Sequence, residues 1–470
     1  MTPISGIAAG TPCCILKATL LIRDSPDALE QTAVKMNAPR LDIFVVGLDD
    51  LNLAQLEALP GADAYRFHAL LTHRELKLAD EFPVRRLLDE GCNRLKSFPG
   101  GVDAVIGYWD FPVSTVLPLL REAIGLPGPT LESVLKCEHK YWSRRVQQEV
   151  IPDQIPDFAA LDPFADDPLA GVALPYPFWL KPVKSVLSHL GFRITDRASL
   201  DRAIGIIRGG IARFAVPFNL ILERAKLPAG IRAVDGFHCI AESIISKGRQ
   251  CTVEGYAWQG EVVCYGVIDS LREGPQGSSF SRYQYPSTLP EPVIRRMAEL
   301  CRRVIRHIGY DNAPFNVEFY WEEDSDRIWL LEINTRISKS HAPLFQMVDG
   351  RYHHQVNLDL ALGRRPDFPH RQGRYRCAAK FMLRHYGDAR VTRVPSTEEL
   401  DALRAQEPDA SIEIAVDAGI RLSSLKNQDS YSYEVAVLFL GGEDERDLER
   451  KYRRLRDRLP LGFEPIDGSD

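Results

Sequence analysis

Between Asn316 and Arg336 the chain reads N-V-E-F-Y-W-E-E-D-S-D-R-I-W-L-L-E-I-N-T-R. Two runs of β-branched and aromatic residues flank the polar cluster Glu322 to Arg327, which is the sequence form of a β-hairpin. A turn centred on Ser325 sets Glu318 opposite Glu332 and Asn316 opposite Asn334, so two carboxylates sit side by side. Like charges in facing positions are unfavourable. Period-two alternation adds Asn334 to the face of Glu332 and turns Leu331 and Ile333 away. A hard cation resolves the conflict, because carboxylate and amide oxygens suit Mg²⁺, which normally completes its shell with substrate phosphates. An arbitrary acidic pair beside a turn lies on solvated surface, since Glu is mostly exposed. Here both acids are flanked by apolar neighbours, Val317 and Phe319 on one strand, Leu331 and Ile333 on the other. Arg336 at the strand end adds a fixed planar cation suited to phosphate or carboxylate.

With 470 residues, the chain has room for about two to four domains. Its 45% hydrophobic and 26% charged content is that of a soluble globular protein, and a net charge of −6 argues against nucleic acid as partner. No apolar run reaches the length of a membrane span, and Met1 to Pro12 lacks the pattern of a signal peptide. Nine cysteines without a CxxC spacing, with Cys13 and Cys14 adjacent, fit reduced thiols and a cytoplasmic location.

Strand and helix signals alternate in the first third. The run Leu41 to Val46 precedes an amphipathic segment ending at Leu59, and Val102 to Gly107 precedes a helical run from Ser114 to Ile124, so parallel β-α units are expected. No G-x-G-x-x-G follows either strand, so no dinucleotide site is assigned. Tyr108, Trp109 and Asp110 fall at a strand's C-terminal end, where crevices form. After the G-L-P-G-P punctuation at Gly125, Thr130 caps a helix on which Lys140 and Arg144 share a face. Such a pair is ordinarily solvated. Lys181 ends the apolar strand P-F-W-L-K-P-V and calls for an anionic partner, because burying it alone is costly. A small-residue loop, Lys184 to Gly191, follows it and resembles neither a P-loop nor a Rossmann turn. Strands are expected over Phe237 to Ser246 and Cys251 to Asp269, the latter turning at Gln259-Gly260, and a helix over Pro292 to Ile308 stopped by Gly309. Beyond Arg374 come the run Cys377 to Leu383, a capping box Ser396-x-x-Glu399, strands near Ile412 to Val416 and Tyr433 to Leu440, a charged helix Glu443 to Arg458, and a structureless tail from about Gly462.

In order, the chain offers a helix lysine, a strand lysine with a small-residue loop, an acidic strand residue, and then E…ExNxR. This order resembles the ATP-grasp superfamily over roughly Pro129 to Asp349. The segment W-L-L-E-I-N-T-R-I-S-K-S-H-A-P resembles the biotin carboxylase and carbamoyl phosphate synthetase branch, and the wider architecture is similar to that of L-amino-acid ligases. The resemblance implies a mixed α/β and α+β protein with the ATP-grasp fold. It would have an N-terminal Rossmann-like pre-ATP-grasp domain over 1–128, an ATP-grasp domain over 129–372 with a lid at about 178–245, and a C-terminal α+β domain over 373–470.

The same resemblance implies roles. Lys140 and Lys181 would contact the ATP phosphates under the loop that holds Ser185, Ser188 and Gly191. Glu242 and the backbone to Ile245 would line the adenine, and Gln250 would take the ribose. Glu318, Glu332 and Asn334 would hold two Mg²⁺ ions, with Mn²⁺ as a substitute, and Arg336 together with Lys181 would be catalytic. Phosphoryl transfer asks the protein for just such positioning and cations. The family places a Gln and a Glu after the Arg to serve bicarbonate, where this chain has Ser338 and Ser340, so bicarbonate chemistry is disfavoured. Ser278 to Pro290 resembles instead the substrate-side loop of carboxylate–amine ligases, which makes Arg282, Tyr283 and Tyr285 substrate candidates against the alternative of an ordinary Ser- and Pro-rich turn. Lys380, placed where relatives carry an Arg, and His341 join them as candidates. The implied activity is ATP-dependent joining of a carboxylate, an amino acid or small relative, to an amine through an acyl phosphate, with small-molecule substrates and no nucleic-acid or membrane partner. Homodimers are common in such families. The rivals are a carboxylase or purine-pathway type of ATP-grasp enzyme and a non-catalytic ATP-binding regulatory protein.

Overall fold

The computed structural model describes residues 40–77, 82–186, 189–274, 277, 279–425, 428 and 432–466. Ser188, Ser278, Cys13, Cys14 and the rest of 1–39 lie outside the described residues.

The alternating signals near the start fold as parallel β-α units. Strands β1 (Leu41–Leu48), β2 (Tyr65–Thr72) and β3 (Ala104–Gly107) form a parallel sheet in the order β2-β1-β3. Ile43, Phe44, Val45 and Val46 of β1 are fully buried, as strands covered on both faces require. The helix Val113–Glu122 follows β3, and Thr130 caps the helix Leu131–Glu138 by accepting from Ser133 N.

That second helix does not run on to Lys140. His139 interrupts it: the buried imidazole meets Val234 O through Nε2 at 2.7 Å and accepts from Trp142 N at Nδ1, capping a new helix, Lys140–Val150. Lys140 therefore begins a helix instead of sitting within one.

Strands β4 (Phe158–Leu161), β5 (Phe178–Pro182), β6 (Phe192–Ile194) and β7 (Cys239–Ser243) make a small antiparallel sheet in the order β4-β7-β5-β6. Leu180, Ile194 and Ala241 from it pack on Leu200, Ile204 and Ile207 of the helix Arg197–Gly210.

The largest sheet begins with β8 (Arg249–Trp258), β9 (Glu261–Glu273), β10 (Ser279–Tyr285), β11 (Ala313–Glu322), β12 (Arg327–Asn334) and β13 (Cys377–His385), and past β14 (Ala389–Arg393) it is completed by β15 (Ser411–Ile414) and β16 (Tyr433–Gly442). Its order is β12-β11-β8-β9-β10-β13-β16-β15. The helix Glu291–Ile308 covers one half with Val293, Met297, Leu300, Cys301, Val304, Ile305 and Ile308 and stops at Gly309, whose φ is 73°, the left-handed conformation glycine accepts freely. The domain boundary expected at 372/373 falls inside this fabric, because β10 pairs directly with β13. Two strand pairs at its far end close on the helix Glu445–Arg456 through Leu448 and Leu455. The tail expected to lack structure from Gly462 is instead strand β17 (Gly462–Pro465), paired with β14. Among the described residues no single helix is long and apolar enough to cross a membrane.

Candidate functional site

The hairpin register sets Asn316 against Asn334, Val317 against Ile333 and Glu318 against Glu332. Beyond Glu318 the register slips by one, so Phe319 faces Leu330 and Leu331 bulges out of the ladder. The bulge leaves two successive carbonyls turned to one cation: Arg144 donates from Nη1 to Leu330 O at 3.1 Å and from Nη2 to Leu331 O at 2.7 Å. Arg144 is only 3% exposed, so the solvated reading of the Lys140/Arg144 pair gives way to a buried one. Its guanidinium fork suits the task, since a planar donor set can bridge two acceptors at once.

The facing carboxylates behave as the alternation argument requires. Burial, and then the charge of Glu332, push the Glu318 carboxyl up to about 7. Burial acts on Glu332 in the same sense, but Lys140, Lys181 and Lys184 outweigh it and hold that carboxyl below its ordinary range. Glu318 accepts from Gln250 Nε2 at 3.1 Å and from Asn334 Nδ2 at 3.3 Å. Asn334 also donates to Asn316 Oδ1 at 2.9 Å. A divalent cation at the pair would neutralise the Glu318 carboxylate as well. Among the described residues no cluster of three or more His, Cys, Asp or Glu side chains is placed to hold a metal. Two carboxylates with one amide therefore fit Mg²⁺ completed by phosphate oxygens, and Glu318, Glu332 and Asn334 are the residues that would hold it.

A set of basic side chains surrounds the hairpin. Lys140 Nζ lies 3.5 Å from Glu332 Oε1 and donates to Ser185 O at 3.1 Å. Lys181 Nζ sits 2.7 Å from Glu242 Oε2, and Arg144 Nε donates to Glu242 Oε1 at 2.6 Å. Burial alone would raise the Glu242 carboxyl; Arg144 and Lys181 instead drive it down to about 2. Burial pulls the Lys181 ammonium below its ordinary range, with Glu242 opposing. Lys184 is buried against Glu138, which also accepts from Thr335 Oγ1 at 2.6 Å. Arg336 donates to Asp110 Oδ1 at 2.7 Å, so the end of β3 does reach the hairpin. Ser185 is buried, Gly191 leads into β6, and Ile245 lies in the connection from β7 to β8. Gln250 on β8 accepts from Tyr320 Oη at 2.9 Å while donating to Glu318.

The substrate candidates divide. Tyr283, His341 and Lys380 come together: the Tyr283 ring meets His341 edge-on at 5.2 Å, Lys380 stands opposite Tyr283 across the ladder, and its Nζ donates to Ser340 Oγ at 3.3 Å. Arg282 and Tyr285 are not brought into that group. Arg282, one residue off the Tyr283 face, reaches Glu449 at 2.7 Å and Glu445 at 2.9 Å on the C-terminal helix. Tyr285 is fully buried and donates to Asp349 Oδ2 at 2.8 Å.

Three participants escaped the sequence reading. Glu254 on β8 is fully buried opposite Asn316; a Glu between Val253 and Gly255 in an apolar strand carries the same signal that singled out Glu318. Arg272, at a strand end that reads as exposed, donates to Gln250 Oε1 at 3.1 Å and stacks on Phe280. Glu138 had no signal beyond its place on a helix.

The clasp of a small antiparallel sheet and a large one around Lys140, Lys181 and a two-glutamate hairpin is the ATP-grasp fold. Residues 283–366 match the family described as the carbamoyl-phosphate synthase L chain, ATP binding domain, a stretch that holds the hairpin but neither Lys140 nor Lys181. In structure the chain is similar to the L-amino acid ligase from Bacillus licheniformis, with a TM-score of 0.67 at 17% identity over 92% of this chain and 100% of that one. It is similar also to phosphoribosylglycinamide synthetase from Anaerococcus prevotii, TM-score 0.60 at 13% identity over 91% and 100% of the two chains. Biotin carboxylase from Campylobacter jejuni gives 0.58 at 14% over 90% and 92%. In sequence it is 24% identical over 254 residues to the uncharacterized protein y4rH of Sinorhizobium fredii (strain NBRC 101917 / NGR234), covering 53% of this chain and 47% of the relative. The chain thus spans about half the length of that curated relative.

Proposed function

We propose that this chain is an ATP- and Mg²⁺-dependent, ADP-forming ligase that joins a carboxylate, an amino acid or a close relative, to an amine through an acyl phosphate. The observation that carries the reading is the set of cations around the facing carboxylates: Lys140 contacts Glu332, while Lys181, paired with Glu242, and Arg336, paired with Asp110, act on Glu332 and Glu318 through their charge. In the first step a carboxylate oxygen of the substrate attacks the γ-phosphorus of ATP and the bond to ADP breaks. Lys140 and Lys181 hold phosphate oxygens in line, and Arg336, steadied by Asp110, faces the transferred group. Glu318, Glu332 and Asn334 would hold Mg²⁺, which would supply Lewis-acid neutralisation of the phosphate charge. In the second step the amine nitrogen attacks the acyl carbon and inorganic phosphate leaves. Ser338 and Ser340, where bicarbonate-using relatives are expected to carry Gln and Glu, favour an organic carboxylate over bicarbonate as the group that is phosphorylated.

ADP release measured across pairs of the proteinogenic amino acids tests the reading. Turnover should require both a carboxylate and an amine and should fall at least about 100-fold in Glu332→Gln with the fold retained, in keeping with the loss of an electrostatic catalytic element. Release that no amine acceptor stimulates would sink it.

A further inference from the structure

Glu254 makes an unusual use of a buried charge. Its side chain is wholly inaccessible to water. Oε1 accepts from Ser338 N at 3.2 Å and lies 2.8 Å from His341 Nδ1. Oε2 has no hydrogen-bond partner among the described residues, the nearest cation-forming group being His353 Nδ1 at 4.0 Å. Burying a carboxylate without full pairing is costly. What the carboxylate does achieve is to hold one imidazole: a proton on Nδ1 pointing at Glu254 leaves Nε2 as the bare nitrogen.

Among the described residues no hydrogen bond reaches that Nε2, and the side chain keeps an opening of 4% of its surface. The opening is beside the candidate substrate residues. Tyr283 meets the ring edge-on, and Ser340, the preceding residue, accepts from Lys380. Tyr283 in turn has its hydroxyl pushed up by burial and then by the charge of Glu318. Among the described residues the charged and titratable groups facing this corner include Glu254 from β8, Tyr265 from β9, Tyr283 from β10, Lys380 from β13, Arg336 after β12 and His353 before the helix His354–Ala361. Ser338 O, fixed by His353 Nε2 at 2.9 Å, keeps the segment in place from its other side.

We propose that His341, oriented by Glu254, is the general base that receives a proton from the attacking amine; this rests on the ligase reading above. The amine, having shed one proton to solvent, forms its bond to the acyl carbon with the nitrogen lone pair. The bond from that carbon to the phosphate oxygen breaks, and its electron pair leaves on inorganic phosphate. The surplus N–H proton passes to His341 Nε2, and the imidazolium, stabilised by Glu254, returns it to solvent. Positioned proton transfer of this kind contributes about 10²–10⁴-fold. Glu254 is a positioning residue in this scheme.

Hydroxylamine separates the two steps, because its nitrogen is unprotonated near neutral pH and captures an acyl phosphate as a hydroxamate without a base. The assay uses ATP, Mg²⁺ and the twenty proteinogenic amino acids as carboxylate and amine sources, with and without hydroxylamine. Dipeptide is read by mass spectrometry and hydroxamate by its ferric complex. In His341→Ala, dipeptide formation should fall about 10²–10⁴-fold and hydroxamate by less than about tenfold, and added imidazole should restore part of the dipeptide. Glu254→Gln should shift the two products apart in the same direction, and it carries the comparison if His341→Ala loses its folded melting transition. Parallel loss of both products, or dipeptide formation within about threefold of wild type, overturns the role of His341. Wild-type protein that makes no hydroxamate from any carboxylate overturns the ligase reading itself, and the base with it.

Discussion

Glu242 shows how a single side chain can matter more to the site's integrity than to its chemistry. It is 4% exposed and lies between Arg144 and Lys181, so removing its charge strands two buried cations. Breaking a buried ion pair in this way costs about 3–5 kcal/mol, and Glu242→Gln should lose that much unfolding free energy at neutral pH in a denaturant titration. A loss below about 1 kcal/mol would refute the triad, since that is the scale of exposed pairs. The pH dependence has a definite sign. The folded carboxyl sits at about 2, below its ordinary 4.5, so the native state binds fewer protons than the unfolded chain in that window. The contribution is present above about 4.5 and is lost as pH falls toward 2. Wild-type melting temperature should drop across that window, and the part due to Glu242 should be missing in the variant. The need of Lys181 for an anionic partner was legible in its apolar strand. That the partner would be Glu242, and that Arg144 would share it, was not, because those residues are 61 and 98 positions from Glu242 or close to it only through folding.

At the scale of elements, the hairpin and the connection beside it were read unequally well. A turn centred on Ser325 predicts the pairs Glu318 with Glu332 and Asn316 with Asn334, and both form, although the residues next to the turn pair one step off that register and a bulge restores it. The bulge at Leu331 was invisible, since it depends on Arg144 waiting to receive two carbonyls. A bulge serves here to re-aim backbone groups next to a site. The helix break at His139 was hidden for the same kind of reason: the imidazole caps a helix start only because Val234 O is within reach. The connection from β7 to β8 makes its own demand. Gly248 has φ of 81°, and an added Cβ would come within 2.2 Å of Trp321 O. Gly248→Ala must therefore shift backbone, with an expected loss of about 1–3 kcal/mol, seen as a lowered melting temperature and a raised KM for ATP. An unchanged KM would show that the connection does not govern nucleotide binding.

On the scale of the whole molecule, one sheet of eight strands joins segments that composition and punctuation divide into separate domains. Arg282 is the fastening where that matters. It leaves β10 on the face away from Tyr283, lies over the Phe381 ring and reaches Glu445 and Glu449 of the C-terminal helix. The guanidinium is buried while the carboxylates are partly exposed, so the expected cost of Arg282→Ala is moderate, about 1–3 kcal/mol. It should appear as a lower melting temperature with kcat nearly unchanged. A large fall in kcat with stability retained would return Arg282 to the substrate side.

By itself the sequence determined most of the element order, the facing of Glu318 with Glu332, and the need of a lysine in an apolar strand for an anionic partner. These follow from local periodicity and from the cost of placing like charges face to face. Tertiary structure alone decided which cation meets which carboxylate, that β13 continues the central sheet, and that Glu254 stands behind His341. Those outcomes depend on contacts between residues far apart in the chain, and no spacing rule reaches them. The buried Glu254 shows the limit most clearly: the sequence reading passed over it, and only the fold set it behind His341.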